Sequence, residues 1–286
     1  MRQFLRHYLL AVQFFTRIPV TGRLADWVGY SPAMLRASAA HFPGIGWLVG
    51  AAAAGVYLVL LALLPASPFA PLVAAGLSTV TTVLLTGGFH EDGLADVADG
   101  LGGSMERNRA LEIMKDSRVG AYGAMALVLA LLCKVALLGL LGSAEVTLPA
   151  LDNDSLDAIL EASFDGWLVA AALFAAHVVS RGLPLLLIRL LPHVGDTAVS
   201  KSKPLADQIT LPSLGAAFLW VFLALALSSI ALPAINLIAA CSFAVVALLW
   251  MGRLFTRRLQ GFTGDCLGAT QQVCEIAFYL GLAVSL

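Results

Sequence analysis

The sequence predicts an all-α integral membrane protein, a polytopic helical bundle of about seven transmembrane helices with an N-terminal helix that lies in the interface. Hydrophobic residues make up 59% of the 286 residues and charged residues 12%, whereas about 25% is usual for a soluble domain. The apolar residues form runs of about 20, the length of helix that crosses a hydrocarbon layer of roughly 30 Å. Because these runs show no strict alternation, they predict helices rather than barrel strands.

Each predicted span is an unbroken run rich in Leu, Ala and Val. In chain order the spans are Phe42–Leu64, Phe69–Gly87, Ala121–Leu141, Gly166–Leu190, Ser213–Leu232, Pro233–Gly252 and Leu267–Leu286. Before them, Phe4–Ile18 carries charged and polar residues among aromatic residues and leucines, which favours an interfacial helix over a crossing helix or a removable signal peptide. No repeat or linker divides the chain, so residues 1–286 are expected to form a single domain.

The positions of Lys and Arg predict the orientation of the bundle. All of them except Lys134 and Arg181 lie in the N-terminal region or in alternate loops, whereas the intervening loops hold none. The longest intervening loop, Ser143–Asp165, is purely acidic. The positive-inside rule therefore places the amino terminus and the basic loops in the cytoplasm and the carboxyl terminus outside. We expect a multi-pass protein of the cytoplasmic (inner) membrane.

Net charge indicates which partners the protein attracts, and the spacing of the cysteines indicates whether they bind metal or form disulfides. The formal net charge is -1, which gives no general attraction for nucleic acid. The apolar spans make the lipid bilayer the expected surroundings of the protein. The four cysteines show no CxxC spacing, and we predict that they are packing residues without a metal or disulfide role. They are Cys133, Cys241, Cys266 and Cys274.

The most polar segment, Gly87–Gly100, follows the second predicted span directly and reads GGFHEDGLADVADG. If the helix continues through it, Asp92, Asp96 and Asp99 lie at i, i+4 and i+7 on one face. Three neighbouring carboxylates repel one another and are costly to desolvate near a bilayer, and a divalent cation removes both costs. Mg²⁺ prefers oxygen ligands and shares them with substrate phosphates. The segment therefore predicts a catalytic Mg²⁺ or Mn²⁺ site.

A second polar segment, Glu112–Gly120, adds Asp116 as a fourth candidate catalytic and metal-binding aspartate. Lys115 and Arg118 flank it and are candidate ligands of substrate phosphate oxygens. His90, inside the first segment, is a candidate catalytic residue, and a satisfied interfacial histidine is the alternative interpretation. Metal ions and basic side chains together predict displacement at a phosphoryl group.

Further candidates lie on the predicted cytoplasmic side. Arg181 is expensive inside an apolar run unless it faces an anion, so we predict that it binds a substrate phosphate. Lys201 and Lys203 are candidate phosphate ligands, or else part of an ordinary basic loop. Asp265 either caps the last helix or contacts metal or substrate. Lys134, inside the third span, either snorkels or pairs with an aspartate.

The segments TGGFHEDGLADVADG and EIMKDSRVGAYG resemble the cobalamin synthase family, the adenosylcobinamide-GDP ribazoletransferases. Shorter matches follow in the family's order over essentially the whole chain, and the first of them adds Arg17 to the candidate substrate ligands. These matches are FFTRIP at Phe14–Pro19, HFPGIG at His41–Gly46, SRG at Ser180–Gly182, SKSKPLA at Ser200–Ala206 and TGDCLGA at Thr263–Ala269.

The resemblance implies Mg²⁺-dependent transfer of the phosphocobinamide part of adenosylcobinamide-GDP onto α-ribazole or α-ribazole 5′-phosphate, with release of GMP. A second copy of the chain and other enzymes of cobalamin synthesis are left open as partners. Asp96–Gly100 also looks like the opening DxxDG of the CDP-alcohol phosphotransferases, with Asp116 near their third aspartate. Their following Ala-Arg pair is missing and Gly120 stands near the place of the fourth aspartate, so the general base is not assigned.

Two other classes remain open from the residues alone. An ion-coupled transporter would bind cations or protons at intramembrane aspartates, but here the aspartates cluster at one predicted helix end. A membrane prenyltransferase also uses aspartates with Mg²⁺ and diphosphate, but it would need a second aspartate-rich motif. The clustering favours the phosphotransferase interpretation.

Overall fold

The computed structural model describes residues 2–144, 166–195 and 208–286. They form helices joined by turns, with one isolated backbone bridge between His193 and Phe262. A 3₁₀ turn at Ala39–His41 joins the third helix to the fourth. In chain order the helices are α1 (Arg2–Phe15), α2 (Gly22–Val28), α3 (Pro32–Ser38), α4 (Phe42–Leu63), α5 (Ala70–Thr86), α6 (Phe89–Gly103), α7 (Arg107–Ile113), α8 (Ala121–Ala144), α9 (Trp167–Gly182), α10 (Leu185–Leu190), α11 (Leu211–Ser228), α12 (Ala234–Arg258) and α13 (Gly264–Ser285).

In these described ranges, 6 helical segments are long and apolar enough to cross a membrane, or 7 if the bent pair α5 and α6 counts as one span. The expected all-α polytopic bundle is thereby confirmed. The first span runs from Pro32 to Leu63 because α3 and the 3₁₀ turn lead into α4. Helix α1 has 14 residues and is too short to cross, in agreement with an interfacial position.

Helices α9 and α13 form the centre of the bundle. The apolar stretch of the Trp167–Leu190 span is 83% buried and that of α13 is 61% buried, whereas those of the other spans are 17–33% buried. Helix α4 lies directly against α9 because Gly46 and Gly50 bring its backbone onto His177 and Phe174. The less buried spans present their apolar faces outward, as lipid-facing helices do.

The acidic segment does not continue the preceding span. Gly87 and Gly88 both have φ of 70°, in the left-handed region that favours glycine, and α6 runs at 90° to α5. The helix of the second span therefore ends before this segment, as its predicted boundary at Gly87 requires, and the segment forms a helix of its own. Because α6 is regular over Phe89–Gly103, the i, i+4, i+7 spacing of the three aspartates is retained.

Two arginines fix the carboxyl end of α6 against α12. Arg258 donates hydrogen bonds to the carbonyl oxygens of Leu101 at 3.1 Å and Ser104 at 2.6 Å. In return, Arg107 donates from Nε to the carbonyl oxygen of Leu259 at 2.7 Å. Cationic side chains thus satisfy carbonyls that a helix leaves unpaired at its carboxyl end. The four cysteines are free; Cys266 and Cys274 are buried, Cys241 is partly buried and Cys133 is exposed.

Candidate active site

Helix α6 presents two chemically different faces. Asp92 is exposed and Asp96 is half-buried, and both lie on the outward face. Asp99 is on the same face but only 8% exposed. His90 is on the other side of the helix, 1% exposed, and its ring stacks on Phe42 at a centroid distance of 5.6 Å. The structure therefore separates His90 from the row of aspartates.

The start of α13 crosses α6 at close range. Gly93 touches the backbone of Asp265, and Gly268 lies against the backbone of His90, so there is no room for a side chain at Gly93. This crossing brings a fourth carboxylate, that of Asp265, to the row of aspartates. Among these carboxylates, Asp265 repels Asp96 most strongly, followed by Asp92 and Asp99. We call Asp92, Asp96 and Asp265 the acidic cluster.

Thr263, and not Asp265, caps α13. The Thr263 hydroxyl accepts a hydrogen bond from the backbone N–H of Cys266 at 3.4 Å and donates one to Asp265 Oδ2 at 3.2 Å. The capping alternative predicted for Asp265 is therefore wrong. Its carboxylate sits in the first turn of α13, where the positive end of the helix dipole favours an anion.

Asp99 has a structural partner at the beginning of α8. Its carboxylate accepts backbone N–H hydrogen bonds from Gly120 at 2.7 Å and Gly123 at 2.8 Å. A side chain at either glycine would collide with this carboxylate. Asp99 thus satisfies N–H groups that α8 leaves unpaired at its amino end, a task usually performed from within the helix.

Asp116 lies on the segment between α7 and α8 and is paired with Arg118. The Arg118 guanidinium donates hydrogen bonds to both carboxylate oxygens of Asp116, from Nε at 3.0 and 3.2 Å and from NH2 at 2.5 Å, and these hold the pKa of that carboxyl down at about 2. Asp99, Asp116, Arg118 and Arg109 line one open cleft of about 520 Å³. Asp116 thus shares a cleft with Asp99, and it is not among the carboxylates that repel Asp96.

The donor set fits a magnesium ion that is completed by substrate. In the described ranges, no three His, Cys, Asp or Glu side chains form a ready-made metal-binding group. The carboxylates of the acidic cluster nevertheless repel one another across the α6–α13 crossing. Mg²⁺ is commonly held by one or two carboxylates together with waters and substrate phosphates. Asp92, Asp96 and Asp265 fit that kind of open site better than Asp99, whose two oxygens both accept backbone hydrogen bonds, and Asp116, which is paired with a guanidinium.

Arg17 and Lys115 are both exposed. The backbone N–H of Arg17 donates to the carbonyl oxygen of Leu85 at 2.8 Å, and its guanidinium lies against Gly87. Arg17 therefore stands at the start of the acidic helix. Lys201 and Lys203 lie outside the described residues.

Arg181 lies in the interior of the bundle. It is 2% exposed, and its NH1 donates hydrogen bonds to the carbonyl oxygen of His177 at 2.9 Å and to His177 Nδ1 at 3.0 Å. Its largest favourable electrostatic partners are Glu275 and Glu91. The structure therefore places Arg181 among buried carboxylates on the inner side of α6, away from the acidic cluster.

Lys134 pairs with a carboxylate and does not snorkel. Its Nζ is 2.6 Å from Glu275 Oε1, and both side chains are almost completely buried. The partner is a glutamate rather than an aspartate. Glu275 and its neighbours Gln271 and Gln272 were not among the sequence candidates. The available signal was an ionisable residue inside the last apolar span, the same signal that singled out Arg181.

The chain matches one protein family over most of its length. The family model for cobalamin-5-phosphate synthase matches residues 7–283. A Polaromonas sp. protein named adenosylcobinamide-GDP ribazoletransferase is 73% identical over 284 residues, covering 99% of this chain and 98% of that protein. A protein of the same name from Vibrio cholerae is 39% identical over 280 residues, covering 98% and 94%. No solved structure matches the chain.

Proposed function

The chain belongs to the cobalamin-5-phosphate synthase family, and from this membership we propose that it joins adenosylcobinamide-GDP to α-ribazole or α-ribazole 5′-phosphate. It is an enzyme of cobalamin synthesis. The observation that carries the finer proposal is the approach of Asp265 to Asp92 and Asp96 where α13 crosses α6. Neighbouring carboxylates can hold the divalent cation that a reaction on a diphosphate uses.

The proposed reaction is a displacement at phosphorus. A hydroxyl oxygen of the ribazole attacks the phosphorus atom bonded to cobinamide, and a new P–O bond forms. The P–O bond to the GMP part breaks, GMP leaves, and the hydroxyl proton is released. The product is adenosylcobalamin or its 5′-phosphate, depending on which ribazole is used.

We assign the acidic cluster to holding Mg²⁺. Bound there, Mg²⁺ would offset the negative charge of the diphosphate and of the departing phosphate. Asp99 keeps the beginning of α8 against α6 through its two backbone hydrogen bonds. The carboxylates of Asp92 and Asp96 are carried on α6 and that of Asp265 on α13, and these two helices pack against each other.

Basic side chains around the open cleft are proposed to bind the phosphate oxygens. Arg118 and Arg109 line that cleft, and Lys115 is exposed on the same connecting segment. Arg17 stands at the start of the acidic helix. Lys201 and Lys203 remain proposed phosphate ligands from a basic loop. By the distribution of Lys and Arg, we propose that this side faces the cytoplasm.

The charged side chains buried inside the spans are the feature that a transporter would share. Lys134, Arg181 and Glu275 lie inside apolar spans, where transporters place ion-coupling groups. Here the lysine and the glutamate are paired at 2.6 Å, and the guanidinium has the same carboxylate in electrostatic range. Glu91, the second favourable electrostatic partner of Arg181, supplies the other negative charge, so the two cations are compensated by two carboxylates. Together with the family match, this favours the transferase.

The direct test is GMP release by the purified protein in detergent with adenosylcobinamide-GDP and α-ribazole. We expect GMP to appear in proportion to the joined product, only when Mg²⁺ is present, and to stop on addition of a chelator. Omission of α-ribazole is the control for simple hydrolysis. Unchanged turnover after complete removal of divalent cations would contradict the Mg²⁺ assignment, and no product would contradict the function.

A further inference from the structure

We propose that Gln272 and Glu275 are positioning residues, which hold the acidic helix α6 in register with α13 through a buried polar network. The network consists of Glu91, Lys134, Gln271, Gln272 and Glu275. The inference rests on the proposed function in one respect, because the helix that is positioned carries the candidate metal-binding carboxylates.

The network begins at Glu275, whose two carboxylate oxygens are both occupied. Lys134 Nζ of α8 is 2.6 Å from Oε1, and Gln271 Nε2 donates to Oε2 at 2.6 Å. The Tyr279 hydroxyl also donates to Oε1 at 3.2 Å. Glu275 is 1% exposed, so these bonds replace the water that its charge would otherwise need.

The network then passes along α13 to α6. Gln272 Nε2 donates to Gln271 Oε1 at 3.0 Å and to Glu91 Oε1 at 3.0 Å. Glu91 is the immediate neighbour of Asp92, in the first turn of α6. An unbroken series of hydrogen bonds therefore connects α8, the middle of α13 and the amino end of the acidic helix.

A branch connects the network to the central helix α9. Gln271 Nε2 also donates to Ser180 Oγ at 3.0 Å. Next to it, Arg181 NH1 lies 3.0 Å from His177 Nδ1, and the same ring nitrogen lies 3.4 Å from Glu275 Oε2. The formal charges of Lys134 and Arg181 are balanced by those of Glu275 and Glu91.

Stability alone does not explain such a network. A well-packed apolar core usually stabilises a protein as well as a buried ion pair does, whereas the directional hydrogen bonds of a buried polar network favour one arrangement of its helices. Helix α6 needs such a constraint, because it starts after two left-handed glycines and contains Gly93, Gly100, Gly102 and Gly103, which weaken a helix. Neither α5 nor its own propensity determines its position.

The hydrogen bond between Gln272 and Glu91 sets the register of α13 against α6 next to the acidic cluster. Asp265 and Gln272 are two turns apart on α13, and Asp92 follows Glu91 on α6. Fixing Gln272 to Glu91 therefore fixes where Asp265 stands relative to Asp92 and Asp96. A slip of one helix along the other would separate the carboxylates of the acidic cluster.

The test replaces Gln272 with methionine, a residue of similar length without hydrogen bonds, in the full-length protein in detergent. Asn236→Leu is the matched control, because Asn236 is equally buried, at 5% against 4% exposed, and donates one hydrogen bond of 3.0 Å to the carbonyl oxygen of Ser285 at the far end of α13. Two quantities are measured: amide hydrogen exchange of residues 89–103 without substrates, and turnover as a function of Mg²⁺ concentration.

We expect Gln272→Met to accelerate exchange in residues 89–103 by at least about tenfold and to raise the half-saturating Mg²⁺ concentration by a similar factor, with Asn236→Leu changing neither. Gln272→Asn, whose amide is one carbon shorter, is the second variant and should shift both quantities in the same direction.

Equal exchange in all variants would overturn the positioning role, and so would faster exchange with an unchanged Mg²⁺ response. Absence of turnover in the unsubstituted protein would instead refute the proposed function, while the exchange comparison would still decide whether Gln272 holds α6 in place.

Discussion

Asp96 stands among three other carboxylates, and their repulsion is the physical reason to expect a cation beside it. The neighbouring aspartates differ in what they touch. Asp99 accepts two backbone hydrogen bonds and Asp116 is paired with Arg118, whereas Asp265 adds its negative charge to those around Asp96. The four aspartates predicted as metal ligands therefore divide into two pairs with different expected behaviour: Asp92 and Asp96, which lie with Asp265 in the acidic cluster, and Asp99 and Asp116, which have structural partners.

The first prediction is that Asp96→Asn lowers turnover by roughly 100-fold or more and makes the remainder depend on higher Mg²⁺, because the substitution removes a charge that offsets the cation. Asp265→Asn should behave similarly. Glu106→Gln is the control, since Glu106 is an exposed carboxylate at the start of α7. Turnover and its Mg²⁺ dependence are measured on folded protein, and near-normal values for both aspartate variants would rule out the acidic cluster as the metal site.

The second prediction concerns stability. Asp99→Ala should lower the free energy of unfolding by about 1–3 kcal/mol, since two N–H groups at the beginning of α8 lose their acceptor. Asp116→Ala should change stability much less, because the carboxylate of Asp116 is paired with an exposed arginine in contact with solvent. Thermal unfolding of both variants in the same detergent makes the comparison. Equal losses would show that the α6–α8 contact does not depend on Asp99.

At the scale of elements, the aspartate spacing was predictable from the sequence but the direction of the helix was not. The spacing requires only that Asp92, Asp96 and Asp99 share a helix, and α6 meets that requirement. The turn of 90° depends on the φ angles of Gly87 and Gly88, which glycine permits without requiring them. Contacts between α6 and α13 join residues far apart in the chain, which local sequence patterns do not reveal. The sequence therefore does not decide between the two interpretations of Asp265 and does not single out Glu275.

The third prediction tests the break between α5 and α6. Gly88 has φ of 70°, and a side chain there would meet no atom within 4 Å, so Gly88→Ala isolates the backbone cost, about 1–2 kcal/mol of destabilisation. Gly76 in the middle of α5 is equally open but helical, so Gly76→Ala should stabilise by up to about 1 kcal/mol.

Thermal unfolding in detergent measures both glycine variants, and opposite signs are expected. If both variants were stabilised, Gly88 would not need its left-handed conformation, and a straight α5–α6 helix would be accessible to the chain.

At the scale of the whole molecule, composition was sufficient to predict the membrane bundle because each apolar span satisfies its own backbone. Which spans are central was not predictable from hydropathy, since the most buried spans are not the most apolar. The span through α9 has a mean hydropathy of 1.7 and is 83% buried, whereas α8 has 2.6 and is 17% buried. Buried helices such as α9 and α13 carry the polar residues that contact one another, and those residues lower their apparent hydropathy.

The last prediction is the orientation of the bundle. The basic loops predict that the segment before α8 is cytoplasmic and that the connection between α11 and α12 is outside. Ser117 and Ser229 lie in these two connections and are both exposed. We expect Ser229→Cys to react with a membrane-impermeant maleimide on intact cells, and Ser117→Cys to react only after permeabilisation.

The unsubstituted chain is the control, because two native cysteines are buried and Cys133 and Cys241 lie within spans. Labelling of both serine positions from the same face would contradict the crossing number between them, and with it the cytoplasmic placement of the acidic cluster.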